Sequence, residues 1–127
     1  MTLAYWCIFI VMFFPIACAA YGKVKGGFTP ADNHNTRGFF ANATGVAARA
    51  NAAQLNGYEI FPVFAAAVII AHLTGQASQM TINLLAAIFV ISRAAFCFYY
   101  IIDKATARSI AWIIGFICVI GLFIAAA

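Results

Sequence analysis

Apolar residues run continuously along this chain, and polar positions break the runs at only a few places. The ten charges are Lys23, Lys25, Asp32, Arg37, Arg49, Glu59, Arg93, Asp103, Lys104 and Arg108, so segments 1–22, 60–92 and 109–127 carry none. A spanning helix needs roughly 20 apolar residues. The middle gap, 33 residues from 60 to 92, is too long for one span and contains Thr74-Gly75-Gln76-Ala77-Ser78-Gln79. That polar, glycine-containing patch reads as a tight turn between two helices. The pattern predicts four transmembrane helices, roughly 2–21, 46–73, 80–102 and 107–126. The expected fold is an all-α membrane protein, a four-transmembrane-helix bundle in a single domain over 1–127. The runs do not alternate as barrel strands do, and helices satisfy their own backbone groups in lipid.

Composition agrees. Apolar residues make up 66% and charged residues 8%, against about 45–50% and about 25% in soluble domains. A soluble globular protein and a disordered chain are excluded. Seven scattered basic residues do not track a phosphate backbone, so no nucleic-acid partner is expected. Cys7, Cys18, Cys97 and Cys118 all fall inside apolar spans and read as small buried hydrophobes rather than a disulfide framework. An apolar setting also suppresses thiol reactivity. His34 and His72 lack the spacing of a metal site.

Lys23, Lys25, Arg37 and Arg49 flank the first loop, and Lys104 and Arg108 the third. The positive-inside rule then puts both loops in the cytoplasm and both termini outside. Tyr5 and Trp6 would mark the outer boundary, and Tyr21, Tyr99, Tyr100 and Trp112 the inner one. Ala17-Cys18-Ala19-Ala20 resembles a cleavage site, but no basic residue precedes the apolar stretch as in a signal peptide. Pro15 should kink the first helix by displacing the carbonyl of Val11. Loop one, about residues 22–42, holds Gly22, Gly26, Gly27 and Pro30 and is expected to be irregular. Its polar residues Asp32, Asn33, His34, Asn35 and Arg37 suit either a solvated loop or a lid over a site.

Glu59, Arg93 and Asn56 are the unusual residues, because an ionised side chain at mid-bilayer costs about 2.5–3.5 kcal/mol. Glu59 lies 14 residues before Leu73, and Arg93 lies 13 residues after Met80. At 1.5 Å per residue both sit on the order of 20 Å from the same end, on consecutive antiparallel helices. They are therefore expected to pair. Arg49, Ala52, Asn56 and Glu59 fall within an arc of about 80°, and Arg93, Phe96, Tyr100 and Asp103 repeat that spacing. With Arg108 just beyond, these stripes predict a polar pocket in the cytoplasmic half of the bilayer, open to lipid. Surplus cations suit a small anionic ligand, arginine being a bidentate carboxylate binder, and apolar walls suit a lipophilic small molecule. A purely structural salt bridge is the plainer alternative.

The stretch Arg49-Ala50-Asn51-Ala52-Ala53-Gln54-Leu55-Asn56-Gly57-Tyr58-Glu59-Ile60-Phe61-Pro62-Val63-Phe64 is similar to the second-helix motif of the MAPEG family, the membrane-associated proteins in eicosanoid and glutathione metabolism. Arg93, Tyr100 and Arg108 resemble that family's third and fourth helices, so the likeness covers nearly the whole chain. It implies a homotrimer with glutathione at subunit interfaces near the cytoplasmic face. It further implies that Arg49, Asn56, Glu59, Arg93 and Tyr100 contact glutathione. Arg108 lies near the arginine credited with thiol activation in the leukotriene synthases, and Arg93 is the alternative for that role. Two departures stand out: Ala52 where human synthases often carry an arginine, and Phe96 in place of a tyrosine. Fewer anchors imply weaker glutathione binding or a different ligand.

The implied activity is a glutathione transferase, or peroxidase, acting on a lipophilic electrophile. The alternative is a non-catalytic membrane scaffold or lipid-binding protein of the same fold. Pro62 frees the carbonyl of Tyr58 beside Glu59, which serves either the pocket or a packing bend.

Overall fold

Pro15 interrupts the first span where its ring demands. Helix α1 (Leu3–Val11) ends at the residue whose carbonyl the ring displaces, and Met12 links it to α2 (Phe13–Gly26). The computed structural model describes all residues 1–127, and three long helices follow: α4 (Gly45–Thr74), α5 (Gln79–Ile101) and α6 (Ala105–Ala125). With α1 and α2 taken as one span, four helical segments are long and apolar enough to cross a membrane. The fold is all-helical, as the apolar runs predict. Pro62 lies inside α4, which continues through it.

Loop one corrects the expectation of irregular structure. The first span continues past Tyr21 to Gly26, and Gly27 closes it in the left-handed conformation at φ 72°. Lys23 and Lys25 occupy the last turn, where cations complement the helix dipole. A 3₁₀ turn (Pro30–Asn35) then opens with a capping box between Thr29 and Asp32, and α3 (Thr36–Ala41) is capped by Asn35. Of the glycines read as helix breakers, Gly27 ends the helix, whereas Gly22 and Gly26 lie within it and serve contact. A Cβ on Gly22 would stand 3.0 Å from the Phe40 ring, so the bare backbone lets the loop pack back onto α2.

The bundle packs α5 along α6 and α4 along α2. The larger buried cluster joins Ala4, Val11, Phe64, Val68, Phe89 and Leu122, with Phe64 and Phe89 stacked at 3.9 Å between α4 and α5. A smaller cluster of Cys18, Ala53, Phe96, Cys97 and Ala111 lies between α2, α4, α5 and α6. Only 28 of 127 residues are buried, and many large apolar side chains, among them Trp6, Ile91, Phe98 and Ile124, face outward, as suits a protein dissolved in lipid. At the α4–α5 turn, His72 Nδ1 bonds the Val68 carbonyl at 2.8 Å and its Nε2 meets Thr2 and Gln79. The His72 ring stacks on Tyr5 at 4.3 Å.

Candidate functional site

A cavity of about 580 Å³ opens between α4, α5 and α6. That is a normal size for a small-molecule site, roughly 300–1,000 Å³. Helix α4 contributes Ala52, Leu55, Asn56 and Glu59, α5 contributes Phe96 and Tyr100, and α6 contributes Arg108, Ser109, Trp112 and Ile113. Each set recurs at three- or four-residue spacing, the rule for one helix face. The polar groups come from α4 and α6, and aromatic and aliphatic groups complete the wall.

The expected direct pair between Glu59 and Arg93 is corrected. Arg93 Nη2 donates to Asn56 Oδ1 at 2.9 Å, and Asn56 Nδ2 donates to Glu59 Oε2 at 3.3 Å. An amide has both an acceptor and a donor, so it bridges cation to carboxylate. Asn56 precedes Glu59 by three residues on the same face and occupies the intervening space. Arg93 is only 2% exposed and its guanidinium lies over the Phe96 ring at 4.1 Å. Glu59 itself is exposed and offers its carboxylate to the cavity.

Arg108 stands in the first turn of α6 with its guanidinium 4.3 Å above the Tyr100 ring. Tyr100 in turn meets Phe96 edge-on at 5.5 Å. A planar cation on an aromatic face is held at little cost in freedom, so Tyr100 supports Arg108 and is more than a boundary marker.

Three residues of the predicted stripes lie elsewhere. Arg49 donates from Nε to the Ile101 carbonyl at 3.1 Å and so caps the C-terminal end of α5. Arg93 lies behind Asn56. Asp103 sits in the α5–α6 turn at φ 61°. Sequence reasoning missed the Leu55, Ser109, Trp112 and Ile113 wall. The four-residue step from Arg108 to Trp112 was the available signal, since it places both on one face.

A second cavity, about 640 Å³, lies on the other flank of α4, and Leu55 borders both. Its polar lining includes Lys23, Arg37, Asn51 and Gln54. The Gln54 Oε1 atom is buried there without a hydrogen-bond partner, the condition of a group that a ligand or neighbouring chain would satisfy. Arg37 thus brings loop one to a cavity wall.

Among protein families, the MAPEG family model matches residues 2–127. No curated protein and no solved structure matches.

Proposed function

Since the chain belongs to the MAPEG family, we propose that this membrane protein is a transferase that joins the sulfur of glutathione to a lipophilic electrophile. One observation carries the reading: a carboxylate and an arginine, each held by its own support, face a single cavity whose remaining wall is aromatic and aliphatic. Glutathione is a tripeptide with two carboxylates, an ammonium and a thiol. Glu59 receives the ammonium. Arg108 stands beside the sulfur, and a nearby cation lowers a thiol pKa from its usual value of about 8.5. The thiol proton leaves to water, the sulfur lone pair forms the new bond to carbon, and the leaving group, where there is one, departs with the bonding electrons. Arg93 is too buried to touch the substrate and acts through Asn56 as a positioning residue. Tyr100 orients Arg108. Arg49 fixes the end of α5 and has no direct part in this scheme.

We further propose a homotrimer. The cations of the second cavity, Lys23 and Arg37, are set on the opposite flank of α4 from Glu59 and Arg108. A head-to-tail ring would face one subunit's second cavity with its neighbour's first and give glutathione a composite site. The basic residues flanking loops one and three favour an orientation with this end of the bundle at the cytoplasmic surface and both termini on the other side. The electrophile enters from the bilayer past Leu55 and Ile113, both about half exposed.

The test is a conjugation assay on the detergent-solubilised protein with a generic electrophile, paired with thermal unfolding in glutathione. Arg108→Ala should lower kcat/KM about 10²–10³-fold, the size expected for losing one charge-stabilising donor. Glu59→Gln should abolish the glutathione-dependent rise in Tm that linkage predicts. Unchanged turnover in both Arg93→Ala and Arg108→Ala would end the proposal. Stabilisation by glutathione without turnover of any electrophile would make the chain a non-catalytic member of the fold.

A further inference from the structure

The four cysteines divide into two kinds. Cys7 and Cys118 are scattered through the larger apolar core. Cys18 on α2 and Cys97 on α5 share the smaller cluster of five buried residues, 4% and 9% exposed. Arg93, buried on the same helix, precedes Cys97 by one helical turn. Two thiols from different spans, packed in one small cluster with a buried cation one turn away, form a chemical pair rather than two fillers.

We propose that Cys18 and Cys97 are a reversible dithiol–disulfide couple, a redox-modification site inside the bundle that ties the first span to the third when oxidised. Both S–H bonds break and one S–S bond forms, releasing two protons and two electrons. The oxidant must dissolve in an apolar environment, because Ala53, Phe96 and Ala111 complete the cluster and keep charged disulfides out. A lipid-soluble quinone fits: it takes up both electrons and both protons and leaves as the quinol. A membrane-permeant dithiol reverses the step by exchange through a mixed disulfide. Closing the bond brings the sulfurs to about 2.05 Å, which draws α2 toward α5 one turn from the arginine that holds Asn56 and Glu59. The couple needs neither glutathione nor turnover, so it stands apart from the proposed transferase activity.

The experiment uses the full chain in detergent, treated with a fully ring-substituted short-chain benzoquinone, which does not arylate thiols. After denaturation and alkylation, the expected product carries two alkyl groups in place of four. Digestion should yield one cross-linked peptide pair joining Cys18 to Cys97, and dithiothreitol should restore all four alkylation sites. A Cys7→Ser, Cys118→Ser variant should form the same link, and Cys97→Ser should form none. Four alkylated thiols after oxidation would overturn the proposal, as would a link through Cys7 or Cys118 in similar yield, or links only between molecules. Wild-type mapping alone decides the matter if Cys97→Ser does not fold.

Discussion

A buried guanidinium needs an acceptor, and an exposed carboxylate that must point one way needs a donor; Asn56 supplies both from one side chain. Asn56→Leu leaves Arg93 charged, buried and without this bond. Hydrogen bonds to charged groups contribute about 1.5–3 kcal/mol, so a Tm loss of that equivalent is expected, with a raised KM for glutathione as Glu59 loses its orientation. Unfolding curves and steady-state kinetics check both halves. Helical spacing made Asn56, Glu59, Phe96 and Tyr100 legible as one site, because Cβ directions follow from the repeat. It did not show which group bonds which. Arginine side chains are long enough to leave their arc, and Arg49 does so to reach Ile101. Outside the spans, Asp32 Oδ2 accepts the Thr29 backbone N–H and hydroxyl at 2.7 Å each. These bonds, the backbone one foremost, hold its carboxyl below the ordinary aspartate range. A depressed folded pKa means the cap is at full strength above the ordinary value and is lost as pH falls through the lowered one. The Thr29 amide proton shift should therefore titrate with a midpoint below that of a free aspartate, and Asp32→Asn should abolish the titration.

Among the elements, α4 meets the first span closely at Gly57, between the site residues Asn56 and Glu59. A Cβ there would stand 2.7 Å from the Pro15 ring, whose atoms cannot swing aside. Gly57→Ala is expected to cost about 1–3 kcal/mol, as overpacking does, and to lower activity by moving α4; thermal unfolding and kcat/KM measure the two effects. The far end of α4 depends on His72. Ala4 N–H donates to Asn83 Oδ1, which also accepts from Gln79 Nε2, and that amide nitrogen faces His72 Nε2. The backbone donor at one end and the Val68 carbonyl at the other fix the direction of the chain of bonds. His72 therefore carries its proton on Nδ1. His72→Phe keeps a ring against Tyr5 and loses these ties, so a loss of about 1 kcal/mol per bond is expected, read as a lower Tm. Helix spans were legible within a few residues because lipid admits little else. Loop one was not, because a glycine's role depends on what packs against it: Gly22 accommodates Phe40, and no local pattern reveals that partner.

At the scale of the whole molecule, the composite site makes a prediction that no single subunit can. Suppose one variant carries Arg108→Ala, damaging the first cavity, and another carries Lys23→Ala with Arg37→Ala, damaging the second. If each site is built within one subunit, every site in a mixed assembly contains a defect, and co-expression restores nothing. If each site joins the first cavity of one subunit to the second cavity of its neighbour, random mixing makes about a quarter of the sites whole, because each of two independent choices succeeds half the time. Co-expressed variants should then recover roughly a quarter of wild-type turnover, while the same proteins mixed after purification recover only what subunit exchange allows. Differential tags on the two variants, followed by tandem purification, isolate the mixed assemblies for the assay. Recovery in that fraction, with none in either parent, is the expected result. Its absence in a confirmed mixed assembly would place the whole site within one chain and leave the buried Gln54 oxygen to be satisfied by something other than a shared ligand.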